Sequence, residues 1–268
     1  MTQLMGIVNA TPDSFYDGNP QNNLTALLKK CADYLADGAD ILDIGGESTR
    51  PGATPVSAEE ELARVLPLIQ AAHKKWPKVP LSLDTVKIPV ADEGLKNGIS
   101  IINDVSGTPD PEMFHLVKKN DAQIVITHSR GNPQTMQSLT DYKDLIGEIK
   151  DFLAQKIEQA QACGLRKEQV IIDVGFGFAK TREQNYQLLK HLTDFKDLGV
   201  RMLVGLSRKT FLAQKRELPP KRKAQTLAAH LVAAQNGADI LRVHDVRDTR
   251  KVLEFYKELE GATCHKSI

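Results

Sequence analysis

The stretch that decides the fold reads Asp40-Ile-Leu-Asp-Ile-Gly-Gly-Glu-Ser-Thr-Arg-Pro-Gly52. Its apolar first half is typical of a buried strand, and the adjacent glycines Gly45 and Gly46 end that strand. The loop that follows carries a carboxylate, two hydroxyls and a guanidinium, and Pro51-Gly52 then turns the chain into a helical pattern. A buried strand that ends in a polar loop and leads into a helix is the repeating unit of α/β proteins.

Seven other short apolar runs repeat this layout along the chain. The eight predicted strands are 4–8, 40–44, 81–84, 101–104, 122–126, 170–173, 202–206 and 240–243. The helical patterns that follow them cover 24–37, 57–75, 88–97, 111–119, 141–163, 183–195, 224–236 and 246–259. Strict alternation of apolar strands with helices predicts a parallel sheet that is buried on both faces.

Eight such units predict an α/β fold of the (β/α)8 TIM barrel type, with residues 1–268 forming one domain. An open doubly wound sheet is the alternative. It is disfavoured because no Gly-x-Gly-x-x-Gly follows the first strand, and the later Gly175-Phe-Gly177 lacks the third glycine.

Composition excludes several classes of function. The chain has 268 residues, of which 41% are hydrophobic, and a net charge of +1, so we expect no bulk electrostatic binding to nucleic acid or to a membrane surface. No apolar run approaches membrane-spanning length, and no signal peptide is visible at the start. The three cysteines, at positions 31, 163 and 264, form no metal-binding or disulfide pattern, which favours a reducing compartment such as the cytoplasm.

Polar side chains fall where the predicted strands end. They are Asn9, Glu47 to Arg50, Asp84, Asn103, His128, Asp173, Ser207 to Lys209, Arg242 and His244. Any one of them has an ordinary explanation as a helix cap, but all of them together do not. In a barrel these positions converge on one mouth, where the active sites of such barrels are built.

The charges at this mouth divide into two groups. Asp84, Asn103 and Asp173 are hydrogen-bond acceptors and suit a ligand rich in N–H donors, such as an amino-substituted heterocycle. The later strands supply cations at 208, 209 and 242, with His244 as a further candidate, where barrels commonly bind phosphate. Residues 207–209 are also predicted to open a helix whose backbone N–H groups would attract an anion. His128 is left open between pocket lining and a structural role, and residues 9–18 are read as a possible lid.

Ordered motifs over nearly the whole chain carry a resemblance to a known family. They are Asn9-Ala-Thr-Pro-Asp-Ser-Phe15, Gly45-Gly-Glu-Ser-Thr-Arg-Pro-Gly52, Leu83-Asp84, Ile102-Asn-Asp104, Asp173 with Gly175-Phe-Gly-Phe178 and Lys180, Gly205-Leu-Ser-Arg-Lys209, and Arg242-Val-His-Asp245. With these motifs the chain closely resembles the dihydropteroate synthases of folate biosynthesis. That family joins 6-hydroxymethyl-7,8-dihydropterin pyrophosphate to p-aminobenzoate, with the help of Mg²⁺, and releases pyrophosphate and 7,8-dihydropteroate.

The resemblance also implies roles for individual residues. Those expected to carry catalysis are Asp84, Asp173, Lys209 and Arg242. The pterin and its pyrophosphate would contact Thr49, Asp84, Asn103, Asp173, Lys209, Arg242 and His244. The p-aminobenzoate site would comprise Thr49, Arg50, Pro51, Phe178 and Ser207, with Asn9 helping to hold Mg²⁺. A homodimer and competition by sulfonamides follow from the resemblance alone.

The chain departs from the family pattern at three positions. Thr127 stands where methionine usually lines the pterin pocket, Val174 where proline is usual, and Ala179 where glycine is usual. These changes leave the chemical groups in place, so we interpret them as variation and not as loss of activity. Two alternative functions stay open, a methyltetrahydrofolate-dependent methyltransferase and a paralogue that binds pterin without catalysis. The methyltransferase would not need Arg242 and His244 beside Lys209.

Overall fold

The computed structural model describes residues 2–11, 20–48, 53–108, 110–131, 134–213 and 218–261. The strands are β1 (Gln3–Asn9), β2 (Ile41–Gly45), β3 (Leu81–Asp84), β4 (Ile101–Asp104), β5 (Gln123–Thr127), β6 (Val170–Asp173), β7 (Arg201–Val204) and β8 (Ile240–Val243). The helices are α1 (Pro20–Ala36), α2 (Ala58–Lys75), α3 (Ile88–Lys96), α4 (Glu112–Lys119), α5 (Leu145–Ala162), α6 (Arg182–Lys190), α7 (Lys223–Gln235) and α8 (Val246–Gly261).

The eight strands close into a barrel in sequence order, and every neighbouring pair is parallel. β8 pairs with β1, so the first strand lies between the last strand and β2. The predicted (β/α)8 barrel is therefore confirmed. Among the described residues, no helix is both long enough and apolar enough to cross a membrane.

Apolar side chains fill the interior of the barrel in one layer. The members of this layer are Met5, Ile41, Ile101, Val125, Ile171, Leu203 and Ile240. A second and larger apolar cluster lies between the outside of the strands and the helices. Each fully buried side chain of this size contributes roughly 1.5–3 kcal/mol through the hydrophobic effect.

A polar layer lies directly above the apolar layer, toward the mouth. Because side chains alternate across a strand, a residue two positions beyond an inward-facing one also faces inward. Two positions beyond the apolar layer stand Asp43, Asn103, Thr127, Asp173 and Arg242. Because of this alternation, the apolar layer inside the barrel is followed, two residues further along these strands, by a polar layer that forms the bottom of the mouth.

Two local predictions were wrong. The helix predicted over 183–195 is broken, because α6 ends at Lys190 and a 3₁₀ helix follows at Leu192–Leu198. Residues 207–209 do not open an α-helix. Arg208 adopts a left-handed backbone with φ of +59°, and only a three-residue 3₁₀ helix, Thr210–Leu212, follows. The predicted helix N-terminus for an anion is therefore absent at this position.

Candidate active site

Arg242 joins three strands at the mouth of the barrel. From β8, its Nε donates to Asp43 Oδ2 on β2 and its Nη2 donates to Asp84 Oδ2 on β3, both at 2.6 Å. Ser82 Oγ donates to the other oxygen of Asp43 at 2.6 Å. Asp43 is fully buried, so the guanidinium and the serine hydroxyl replace the water that this carboxylate has lost.

Asp43 is a site residue that the sequence interpretation missed. It was read as part of the strand in the opening stretch and given no role. A signal was available, because a carboxylate two positions beyond Ile41 in a buried strand must face the barrel interior. A buried carboxylate needs a polar or charged partner. Asp43 lies at the same level of the barrel as the other inward-facing polar residues, which indicates that its partner is among the groups at the mouth.

Asp84 shares one guanidinium with Asp43, and its pKa is set first by burial and then by these two charged neighbours. Burial raises the pKa of Asp84 to about 7, against the attraction of Arg242 and with the repulsion of Asp43 in the same direction as burial. The second carboxylate oxygen, Oδ1, is buried and has no hydrogen-bond partner among the described residues. Asp84 therefore presents one unpaired acceptor atom to the mouth.

Asn103 and Thr127 add further unpaired atoms beside it. Asn103 is 1% exposed, and its Nδ2 lies 3.5 Å from Asp43 Oδ2, which orients the amide so that Oδ1 is left over. Within the described part of the chain, both Asn103 Oδ1 and Thr127 Oγ1 are buried without a hydrogen-bond partner. Buried polar atoms without partners are uncommon in folded proteins, and such atoms at a barrel mouth are typical of a ligand site.

Asp173 and Lys209 form the opposite side of the mouth. Asp173 Oδ1 accepts from the backbone N–H of Gly175 at 2.8 Å, and burial raises the pKa of Asp173. Lys209 Nζ donates to the carbonyl of Phe176 at 2.6 Å and lies 4.4 Å from the ring centroid of Phe178. Burial lowers the pKa of Lys209 to about 8, but the group remains mostly cationic near neutral pH.

The end of β8 carries a linked set of polar groups. Ser207 Oγ lies 3.0 Å from His244 Nδ1 and accepts from the His244 backbone N–H at 3.2 Å. Burial, with Arg208 and Arg242 nearby, lowers the pKa of His244 to about 3, so this imidazole is neutral near pH 7. Arg208 is bound to both oxygens of Asp245, at 3.1 and 2.7 Å. His244 therefore acts as a hydrogen-bonding group and not as the cation considered from the sequence.

The polar loop after β2 is anchored at its base. Glu47 Oε1 accepts from the backbone N–H of Val56 at 3.2 Å, and Lys87 Nζ binds the other oxygen of Glu47. The same ammonium lies 2.5 Å from Glu61 Oε2, on the buried face of α2. The predicted p-aminobenzoate residues Thr49, Arg50 and Pro51 lie outside the described residues, as do residues 12–18 of the predicted lid.

Asn9 is the last residue of β1, next to β8, and its side chain is half-buried. No group of three or more His, Cys, Asp or Glu side chains able to hold a metal occurs in the ranges that the structure describes. Mg²⁺ commonly uses few protein ligands and completes its shell with water and substrate phosphates. The amide oxygen of Asn9, a hard ligand on the same side of the mouth as Arg242, fits that mode of binding.

The role of His128, which the sequence left open, is structural in this arrangement. It is 2% exposed, and its ring stands edge-on to Phe152 with centroids 5.0 Å apart. Its Nδ1 lies 3.0 Å from the Nζ of the buried Lys180. Burial and the neighbouring Lys180 lower the pKa of His128 to about 2, so the neutral ring accepts from the lysine.

Comparisons with known proteins agree with this geometry. Residues 5–244 match the model of the family described as pterin binding enzyme. The chain is 47% identical over 248 residues to the dihydropteroate synthase of Synechocystis sp., which covers 91% of this chain and 86% of the relative. The chain belongs to the dihydropteroate synthase family.

Solved structures of dihydropteroate synthases superpose closely on the chain. The Xanthomonas albilineans enzyme with 4-aminobenzoic acid is 41% identical, with a TM-score of 0.91, over 98% of this chain and 94% of that one. The same enzyme in complex with 7,8-dihydropteroate is 38% identical, with a TM-score of 0.88, over 98% and 95% of the two chains.

The departures from the dihydropteroate synthase pattern have visible structural effects. Ala179 adopts a φ of +48°, a left-handed conformation that accounts for the glycine usual at this position. Val174 is fully buried in the outer apolar cluster. Thr127 places an unpaired hydroxyl in the pocket wall where the family usually has a thioether. The changes affect the wall of the site, while the acceptors and cations at the mouth remain in place.

Proposed function

We propose that the chain catalyses the dihydropteroate synthase reaction. It would condense 6-hydroxymethyl-7,8-dihydropterin pyrophosphate with p-aminobenzoate and release pyrophosphate and 7,8-dihydropteroate. The observation that carries this proposal is the set of unpaired, buried acceptor atoms on Asp84 and Asn103 beside the guanidinium of Arg242. These groups match a heterocycle with N–H donors that bears an anionic leaving group.

The acceptors would bind the pterin ring. Asp84 Oδ1 and Asn103 Oδ1, on the paired strands β3 and β4, are free to accept from ring and amino N–H groups, with Asp173 on the opposite side of the mouth. Lys209 would donate to the carbonyl side of the ring, where its Nζ already donates to a backbone carbonyl. An N–H group bound to a buried carboxylate contributes about 1.5–3 kcal/mol, so these contacts are sufficient to select a pterin.

The pyrophosphate would lie at the end of β8, between Arg242, the neutral His244 and Asn9. Arg242 can donate through its remaining N–H groups, since two of its donors already bind Asp43 and Asp84. His244, held by Ser207, supplies a fixed hydrogen bond. One Mg²⁺ held by the Asn9 amide oxygen and by the pyrophosphate itself would neutralise part of the negative charge on the leaving group.

Catalysis would follow from the separation of charge across the mouth. The bond between the pterin methylene carbon and the pyrophosphate oxygen breaks, and the electron pair leaves with pyrophosphate. Asp84 and Asp173 favour the positive charge that develops on the methylene and the ring, while Arg242 and Lys209 stabilise the departing negative charge. The arylamine nitrogen then forms the new C–N bond and loses a proton, so no covalent enzyme intermediate is required.

p-Aminobenzoate would bind on the side of the mouth opposite to Asp84. Phe178, packed against Lys209, and Ser207 border that side. We assign Thr49, Arg50 and Pro51 to the same subsite on the strength of the family resemblance.

The quaternary state and the compartment are also proposals. The exposed apolar side chains Phe255 and Leu259 on α8, 61% and 59% exposed, support a homodimer. The free thiols of Cys31 and Cys163 support a reducing compartment, the cytoplasm. Size-exclusion chromatography with light scattering tests the homodimer, and a monomer at micromolar concentration would refute it.

The reaction is tested by pyrophosphate release from the purified protein with the pterin pyrophosphate, Mg²⁺ and p-aminobenzoate, each omitted in turn. Release that needs all three, with an equal amount of dihydropteroate formed, would support the proposal. Pterin binding without turnover would support the non-catalytic paralogue, and methyl transfer from methyltetrahydrofolate would support the methyltransferase.

A further inference from the structure

Lys180 is a buried lysine whose ammonium is fully used inside the protein. It is 4% exposed, and its Nζ donates to the carbonyls of Gly175 at 2.9 Å and Phe178 at 3.0 Å. The third contact is with His128 Nδ1, at 3.0 Å. Burial lowers the pKa of Lys180 to about 7, and in the protonated form each of its three N–H donors has one acceptor.

Two of these contacts bind the turn between β6 and α6, defined here as residues 174–179. Three of its residues have left-handed backbones, with φ of +73° at Gly175, +77° at Gly177 and +48° at Ala179. One backbone hydrogen bond, from the Phe178 N–H to the Gly175 carbonyl at 3.1 Å, crosses this path, and the alanine in it is strained. From outside, Gln137 donates to the Gly177 carbonyl and Tyr142 to the Ala179 carbonyl. Lys180 is the buried side chain that binds two carbonyls of the turn from inside.

The turn between β6 and α6 carries groups of the proposed site. The carbonyl of Phe176 accepts from Lys209 Nζ at 2.6 Å, and the Phe178 ring lies against the same ammonium. A shift of the turn would displace both the Phe178 ring and the acceptor that fixes Lys209.

We propose that Lys180 is a positioning residue for the p-aminobenzoate half of the site. It acts by fixing the turn that presents Phe178 and orients Lys209, and it touches no substrate. This inference rests on the proposed function, because it assigns Phe178 to the p-aminobenzoate subsite.

The pterin half of the mouth is held by a different set of contacts. Asp84 is fixed by Arg242, which Asp43 fixes in turn, and these residues lie on β3, β8 and β2. Neither of these two bonds involves the turn between β6 and α6. The turn also contacts Lys209 and Asp173, which are proposed to bind the pterin, but the acceptors on Asp84 and Asn103 are held without it. Loss of Lys180 should therefore weaken binding of p-aminobenzoate more than binding of the pterin.

The test compares Lys180→Met with a matched control, Lys156→Met. Lys156 also donates to a loop carbonyl, that of Thr108 after β4, at 2.8 Å, but its loop carries no proposed p-aminobenzoate contact. For each variant we would measure kcat, KM for p-aminobenzoate, the Kd of 6-hydroxymethylpterin by calorimetry, and Tm.

Lys180→Met is expected to raise KM for p-aminobenzoate about tenfold, which corresponds to the loss of one to two hydrogen bonds. The Kd of 6-hydroxymethylpterin should change less than about threefold, and Lys156→Met should leave both values near those of the wild type. An unchanged KM for p-aminobenzoate, or an equal loss in both constants, would overturn the inference.

Two further outcomes distinguish a failure of this inference from a loss of stability and from a failure of the proposed function. If Lys180→Met does not fold, His128→Leu removes one contact of the ammonium and leaves the other two. It should raise KM for p-aminobenzoate in the same direction by a smaller factor, and no selective rise would refute the inference. A folded wild-type protein that is inactive with all substrates would refute the proposed function instead.

Discussion

Asp84→Asn replaces one oxygen of a buried carboxylate by an amide at the centre of the site. In the wild type, Oδ2 is bound by Arg242 at 2.6 Å and Oδ1 is unpaired. Asparagine keeps one acceptor for the guanidinium, but places a donor where the pterin N–H groups require an acceptor. We therefore expect the change to affect turnover more than folding.

The expected loss of activity can be estimated from one charge-assisted hydrogen bond. Such a bond contributes about 1.5–3 kcal/mol, which corresponds to a fall in kcat/KM for the pterin pyrophosphate of about 10- to 150-fold. Stability should be kept, because Arg242 retains its bond to Asp43 and a buried charge has been removed.

The pH dependence of stability gives an independent check on the same residue. The pKa of Asp84 is raised in the folded state from 3.8 to about 7, so the folded protein binds more protons than the unfolded chain between these values. The contribution of Asp84 is therefore present below about pH 4 and is lost as the pH rises to about 7. Urea unfolding across this range should show that decline in the wild type and a weaker one in Asp84→Asn.

The matched control is Asp104→Asn on the neighbouring strand. Asp104 is also buried with a raised pKa, but its carboxylate accepts from the backbone N–H and hydroxyl of Ser106 and does not bind Arg242. This control should lose Tm and keep kcat/KM. Wild-type kcat/KM in Asp84→Asn, or a fall in its Tm of more than about 5 °C, would refute the assignment of Asp84 to pterin recognition.

The remaining predictions concern contacts around the mouth. Asp43→Asn removes the buried carboxylate that pairs with Arg242, so urea unfolding should show a loss of about 3 kcal/mol together with lower kcat/KM; an unchanged midpoint would contradict the role of Asp43 in holding Arg242. Lys87→Met leaves Glu61 buried and unpaired and should also cost about 3 kcal/mol, whereas Lys96→Met at an exposed pair should leave the unfolding midpoint nearly unchanged; equal losses would be inconsistent with this account. Asn9→Ala should raise the Mg²⁺ concentration needed for half-maximal turnover about tenfold at unchanged Tm, and an unaltered Mg²⁺ titration would remove Asn9 from the metal site.

The sequence predicted the barrel well because the relevant signal is local. Each apolar run and each helical pattern reports its own element, and the strands 81–84, 101–104, 170–173 and 240–243 end where the structure ends them. The predicted ends of helices were wrong where tertiary contacts or capping side chains determine them. The pattern at 183–195 continues past a helix end, and α5 begins at Leu145 because Asp144 caps it by accepting from the Gly147 N–H at 3.1 Å.

The candidate site could be predicted only in part. Residues at strand ends, such as Asn103 and Arg242, were found because topology alone brings them to one mouth. Asp43 was missed because its partner, Arg242, lies 199 residues later in the chain. Lys180 was missed because its contacts lie within a tight turn, and neither composition nor spacing reveals them. The protonation of His244 also required the three-dimensional surroundings, since burial and neighbouring cations lower the pKa of its side chain.

The guanidinium of Arg242 also has a consequence for the order in which the chain can fold. Arg242 and His244 are the last residues of the mouth to be synthesised. The guanidinium of Arg242 binds carboxylates that lie 199 and 158 residues earlier in the chain. We therefore expect that a nascent half-barrel ending after β4 would hold Asp43 and Asp84 on paired strands without their shared cation, and that their mutual repulsion would destabilise it. The contact that organises the site thus favours completion of the whole barrel over the accumulation of its first half.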